Sequence, residues 1–209
     1  MRIGIVGAGA MAQALGAGWA KAGHDIVVGA RDADKAMGLA SRLGARAGTF
    51  AEAAAHGDAV LAALPHTVVL DVVAPLADAL AGRAVIDCSN PIVPGPSGPM
   101  LITGGGPSAA RGIADAVPQA HVVKAFNLCA AEVWARYTDG LAVPLCGNNA
   151  GALDLVRALV TDLGATPLDA GGLDRADYVE ATAAFVIGVW FAGGDPRTVL
   201  PVVEHAQGR

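Results

Sequence analysis

The chain has 209 residues, 54% hydrophobic and only 16% charged, where soluble domains usually carry ~25% charged residues. That length suits one substantial α/β domain with a modest extension, and aromatics at 4% leave a core built mainly of Ala, Val, Leu and Ile. A formal net charge of −5 and no basic stripe exclude a nucleic-acid partner, while Cys88, Cys129 and Cys146, with no C-x-x-C pair, exclude a disulfide framework and a zinc knuckle and fit a reducing, cytoplasmic setting.

In chain order, short apolar runs at 2–6, 25–28, 59–63, 84–87, 120–124 and 141–146 predict buried strands. Helical patterns at 10–22, 34–43, 68–80 and 150–163 alternate with them, and 45–47 is a candidate extra strand. Strands that are apolar throughout have both faces covered, so the fold class expected is α/β: a Rossmann-type parallel sheet with helices on both faces and a small helical C-terminal extension. Residues 1–147 are expected to form this Rossmann-type domain, and 148–209 a C-terminal α/β extension with tail helices. The N-terminus has the outline of a signal peptide, but Gly4, Gly7 and Gly9 break the apolar run where a strand–turn–helix requires glycine, so a strand is expected. From 91 to 107 the chain holds five prolines and five glycines, which predicts no regular element and a functional loop. Residues 173–192 read as one long helix, followed by Gly193-Gly194-Asp195-Pro196 and a last short helix. The apolar part of that tail, 179–193, is shorter than the ~20 residues needed to span a bilayer, so no membrane partner is expected.

The motif that carries chemistry is Gly7-Ala8-Gly9-Ala10-Met11-Ala12, a G-x-G-x-x-A placed between a strand and a helix. Gly7 allows the tight turn, Gly9 lets the backbone approach a pyrophosphate, and Ala12 keeps the helix close to the sheet. The helix N-terminus then offers N–H groups to phosphate. At the end of the second strand, Ala30 is followed by Arg31, with Lys35 one helical turn on. These cations suit the 2′-phosphate of NADP, while Asp32 is an alternative acceptor for a 2′-OH. Further cofactor contacts are expected from the strand-end loops: Leu64, Pro65 and His66, then Ser89, Asn90 and Pro91, then Ala125 and Asn127. Ser89, Asn90 and Asn127 could bond ribose or carboxamide groups. His66 is the one candidate for proton transfer, though a structural or capping role is the simpler expectation, and Cys129 is expected to be an inert thiol. No metal-ligand cluster, Tyr-x-x-x-Lys pair or His–Asp dyad is visible.

Val179, Phe185, Val186, Ile187, Val189, Trp190 and Phe191 are too many large apolar groups for one buried stripe. A homodimer with this helix at its interface is expected, with Trp190 walling a second-substrate pocket. A hydride-transferring oxidoreductase, a reductase of a small imine, ketone or ferric acceptor, and a non-catalytic nucleotide-binding module are all compatible with these residues.

The chain resembles the F420-dependent NADP oxidoreductase family, small proteins that pass hydride between the deazaflavin F420 and NADP. The resemblance rests on residues 1–12, on the stretch from His24 to Lys35, and on Val123-Lys-Ala-Phe-Asn127. It continues through Val143-Pro-Leu-Cys-Gly147 and Pro167-Leu-Asp-Ala-Gly171-Gly-Leu173. It implies that Arg31 and Lys35 grip the 2′-phosphate, and that Asn127, Leu128 and Cys129 lie beside the contact between nicotinamide and deazaflavin. Ala30 stands where the family often has a hydroxyl residue, and Asp32 where a second basic residue can occur.

Overall fold

The computed structural model describes residues 1–96, 98–102, 106–136 and 138–199. The chain opens with β1 (Arg2–Val6), α1 (Ala10–Lys21), β2 (Asp25–Gly29), α2 (Ala33–Leu43) and β3 (Arg46–Gly48). Next come α3 (Phe50–His56), β4 (Ala59–Ala62), α4 (His66–Val73), α5 (Ala77–Leu80) and β5 (Ala84–Asp87). Then follow β6 (Ile92–Gly95), β7 (Gly98–Leu101), α6 (Ala109–Ala116), β8 (His121–Lys124), α7 (Ala131–Trp134) and β9 (Ala142–Gly147). The remainder is α8 (Ala150–Asp162), β10 (Thr166–Asp169) and α9 (Ala176–Phe191).

One eight-stranded sheet runs in the order β10-β9-β8-β5-β4-β1-β2-β3. Its pairings are parallel except for β8 with β9, which is antiparallel. The Rossmann-type α/β class is therefore observed, with β9 and β10 reversed at one edge. The reversal in strand order between β1 and β4 opens a crevice at the carboxyl ends of the central strands. Both faces are covered, one by a cluster around Leu15, Trp19, Phe126 and Leu145, the other by a cluster around Val60, Leu80, Ile113 and Val179.

Local chemistry explains where the helices begin. The Asp32 side chain accepts from the backbone N–H groups of Asp34 and Lys35 to cap α2, and Asn149 caps α8 through Ala152 N–H. Thr49 and Glu52 form a reciprocal capping box that starts α3, a helix absent from the sequence-based expectation. Pro75 lacks the N–H an unbroken helix needs, so the single helix expected at 68–80 is instead α4, a 3-10 turn and α5. The tail divides as well, a 3-10 turn at Leu173–Arg175 preceding α9.

The 91–107 segment requires a correction. Residues 103–105 and 97 lie outside the described residues, but the rest contains the antiparallel hairpin of β6 and β7, where no regular element was expected. In a two-stranded ribbon each strand has a free edge, so Pro94 and Pro99, directly opposite one another, displace no required hydrogen bond. Gly98, at φ 114°, supplies the turn conformation that other residues rarely adopt. The hairpin packs against α9 through β7.

β1 sits so close to α3 that a Cβ on Gly4 would collide with the carbonyl oxygen of Ala53. Backbone cannot yield as a side chain end can, so Gly4→Ala is expected to lower stability by about 3 kcal/mol, the upper part of the usual overpacking range. Urea unfolding checks this. An unshifted midpoint would mean that β1 and α3 are not pressed together.

Candidate functional site

At the end of β1 the chain turns at Gly7, whose φ of 119° and a clash of any Cβ with Ala63 O both demand glycine. Its N–H donates to Gly29 O at 2.8 Å, tying the turn to the end of β2. Gly9 is different. It is exposed, has extended backbone angles, and a Cβ there would meet nothing within 4 Å. Its small size is therefore not required by the chain's own packing. Gly9 is the N-cap of α1, so that open space lies against the helix N-terminus, where N–H groups are free to bind an anion. Ala8 is half-buried, Ala10 exposed, Met11 half-buried and Ala12 fully buried against the core.

Arg31 and Lys35 are both exposed, flanking the start of α2 beyond half-buried Ala30. Asp32 uses Oδ1 to cap α2 at 3.0 and 3.3 Å.

The loops after β4, β5 and β8 lie at one end of the sheet. Leu64 is half-buried and Pro65 exposed, forming the N-cap of α4, whose first residue is His66. Asn90 and Asn127 face each other across the loops after β5 and β8: Asn127 Nδ2 donates to Asn90 Oδ1 at 2.9 Å, and Asn90 Nδ2 donates to Asn127 O at 2.7 Å. Pro91 is buried beside them, and Ala125 is fully buried behind. Three buried polar atoms on these loops have no partner within the protein: His66 Nε2, Ser89 Oγ and Asn127 Oδ1. Buried polar atoms are normally bonded, so this end of the sheet fits a ligand carrying its own donors and acceptors, as a nicotinamide carboxamide and ribose do.

Phe126 holds the loop after β8 in an unusual shape. It is buried with φ 62°, a conformation bulky residues rarely adopt and tolerate only when their surroundings impose it. The surroundings here are aromatic: Trp19 and Trp134 pack edge-on to its ring at 5.9 and 5.4 Å. Leu128 and Cys129 follow, both half-buried. Burial pushes the Cys129 thiol above its ordinary value, and burial beside Asp87 pushes Cys88 up to about 12, so neither is an activated nucleophile. Trp190 stands apart, 67% exposed and roughly 16 Å along α9 from Val179 by helical rise.

A buried charge cluster went unrecognised in the sequence. Lys124, Asp87 and Glu180 are each fully buried, with Lys124 Nζ 2.8 Å from Asp87 Oδ2 and 2.8 Å from Glu180 Oε1. Burial alone would lower the Lys124 pKa, but the two carboxylates outweigh it and raise the value, keeping the amine cationic. The signal was there in part, since Glu180 is the one charge in the otherwise apolar stretch 179–193. Asp87 and Lys124 likewise end two apolar strands.

Among the described residues, no group of His, Cys, Asp or Glu could hold a metal ion, and no helix is long and apolar enough to cross a membrane.

Comparison with known proteins finds similarity to several reductases. Residues 2–91 match the model described as NADP oxidoreductase, coenzyme F420-dependent. The chain is 32% identical over 193 residues to Metalloreductase STEAP3 of Rattus norvegicus, matching 90% of this chain but only 38% of that protein's length. It is 26% identical over 205 residues to the F420-dependent NADP reductase of Methanothermobacter marburgensis, covering 90% of this chain and 91% of that protein. A solved structure from Arthrobacter sp. FB24, described as a candidate F420-dependent NADP-reductase, superposes with a TM-score of 0.82 at 25% identity, covering 93% of this chain and 96% of that one. With its Rossmann-type sheet, its glycine turn at the β1–α1 junction and these relatives, the chain is similar to the F420-dependent NADP oxidoreductase family, most directly over residues 2–91, and to NADP-dependent oxidoreductases along its length.

Proposed function

We propose that this protein is a cytoplasmic enzyme that moves a hydride between NADP(H) and coenzyme F420. The observation that carries the proposal is the β1–α1 junction, where glycine at position 9 leaves open space beside a helix N-terminus. The similarity to an F420-dependent NADP reductase across 91% of that protein's length supports F420 as the second substrate.

When bound, NADPH would supply a hydride that, with one proton from solvent, would reduce F420 and leave NADP⁺. The chain's residues bind and align. Backbone N–H groups at the start of α1 hold the pyrophosphate, and Arg31 with Lys35 holds the 2′-phosphate. Ser89, Asn90 and Asn127 orient the nicotinamide end, assisted by the backbone of Leu64, Pro65, Pro91 and Ala125. Leu128 and Cys129 exclude water beside the second ring. Two flat ring systems need alignment and desolvation more than a general acid, so His66 acts by bonding the cofactor through Nε2 rather than by moving a proton.

A second reading is an NADPH-dependent reductase of a ferric acceptor, which the relative named Metalloreductase STEAP3 favours. Mixing the protein with NADPH and oxidised F420 separates the two. Loss of the deazaflavin's visible absorbance supports the first, and turnover with a ferric chelate alone supports the second.

Three results should follow. Gly9→Val should fold normally, since its Cβ has room, yet lose NADPH binding by calorimetry; near-native affinity would sink the phosphate-site assignment. Arg31→Ala should weaken NADPH tens-fold, given about 1.5–3 kcal/mol for a charge-assisted contact, and leave NADH nearly unchanged. Equal losses for both cofactors would make Arg31 structural. The third concerns α9, whose C-terminal half exposes Phe185 at 53%, Trp190 at 67% and Phe191 at 72% around the helix, an apolar end that we assign to a second copy of the chain. Light scattering should show a wild-type dimer and a Trp190→Glu monomer that still binds NADPH, whereas a monomeric wild type at micromolar concentration would end the assignment.

A further inference from the structure

We propose that Glu180 is a positioning residue, through which the tail helix α9 holds the two loops that form the nicotinamide end of the cleft. This rests on the assignment of that end of the sheet to NADPH. A carboxylate is a poor choice for a purely structural position on an apolar helix, because a well-packed apolar side chain serves stability as well or better. Yet Glu180 is fully buried, and every contact it makes leads to the cleft or to the segment beside it.

The connections run through single atoms. Glu180 Oε1 lies 2.8 Å from Lys124 Nζ, and the same amine reaches Asp87 Oδ2 at 2.8 Å and donates to the Ser89 carbonyl. Asp87 Oδ1 accepts from Ser89 N–H at 2.9 Å. The Ser89 backbone is thus held on both sides, by Lys124 at its carbonyl and by Asp87 at its N–H, which leaves the unpartnered Oγ fixed in place. One residue earlier on α9, the Val179 carbonyl accepts from Asn127 Nδ2 at 3.3 Å. Through Asn127 the helix also reaches Asn90, its reciprocal partner. A single step of α9 therefore grips the loops after both β5 and β8. Glu180 Oε2 also accepts from Ala109 N–H at 3.1 Å and Oε1 from Ala110 N–H at 3.4 Å, so the start of α6 is fixed to the same point.

Removing the carboxylate would leave the first N–H groups of α6 without their acceptor and Lys124 with one counter-charge instead of two. Ser89 and Asn127 would lose a common reference, while the start of α1, on the other side of the crevice, would keep its geometry. Loss at Glu180 should therefore appear as a badly held nicotinamide on a normally bound cofactor.

The test uses the full chain with Glu180→Ala and Glu180→Gln. NADPH affinity is measured by calorimetry, the emission and anisotropy of the bound nicotinamide report how firmly that ring is held, and kcat and KM are measured with F420. In wild type, binding should enhance and polarise the nicotinamide emission. Glu180→Ala should bind NADPH within a few-fold of wild type but lose most of that enhancement, with kcat falling on the order of a hundredfold, as small misplacements of reacting groups produce. Glu180→Gln, which keeps a hydrogen-bonding side chain of the same shape, should fall between the two. Wild-type emission and kcat in a folded Glu180→Ala protein would overturn the proposal. If that variant does not fold, full emission and full kcat in Glu180→Gln would overturn it instead. The emission readout needs NADPH alone, so a wild type that holds the nicotinamide but ignores F420 separates failure of the acceptor assignment from failure of this one. A wild type that does not bind NADPH at all overturns both.

Discussion

Three backbone-to-backbone approaches determine what the rest of this molecule can do. A Cβ on Gly4 would strike the carbonyl of Ala53, one on Gly7 the carbonyl of Ala63, and one on Gly29 the carbonyl of Thr49. β1, β2, α3 and the end of β4 are thus drawn together at distances that a side chain would forbid. The result is a flat junction where α1 starts directly from the sheet, its N-terminus facing the crevice between β1 and β4. Gly9, which no internal contact requires to be glycine, is then the residue whose smallness faces outward. Packing accounts for the first three glycines, and no internal contact accounts for the fourth.

The same crevice is finished by groups from far along the chain. Phe126 is forced into a left-handed conformation by the rings of Trp19 and Trp134, and the loop it bends presents Asn127 to Asn90. The tail helix closes the arrangement from behind through Val179 and Glu180. Taking one partner from a buried ion cluster leaves an uncompensated charge, a loss of about 3–5 kcal/mol where such pairs have been broken. The fold therefore has a strong reason to keep α9 seated.

What the sequence revealed and what it hid follows from how local each interaction is. The glycine motif and the apolar strands depend on residues within a few positions of each other, and so leave a pattern. The capping box of Thr49 and Glu52 was equally local and could have marked α3, but the helix is only seven residues long and mostly alanine, with little periodicity to notice. The hairpin of β6 and β7 was hidden because its prolines and glycines signal irregular chain, and only the free edges of a two-stranded ribbon make them harmless. The Lys124 cluster joins residues 37 and 56 positions apart, a relation that no window along the chain contains. Asp32 reads in the sequence only as a candidate ribose acceptor, and its role in capping α2 shows only in its hydrogen bonds.

Under the proposed function, the glycine junction, the loops that carry Asn90 and Asn127 and the apolar side chains beside them would together serve direct hydride transfer. Isotope labelling tests this most directly. NADPH carrying deuterium at the transferable C4 position is supplied with oxidised F420, and the products are analysed by mass spectrometry and NMR. The account predicts that the deuterium arrives on the reduced deazaflavin ring without washing out into water. F420 that remains oxidised and unlabelled while a ferric acceptor consumes the labelled NADPH would contradict it.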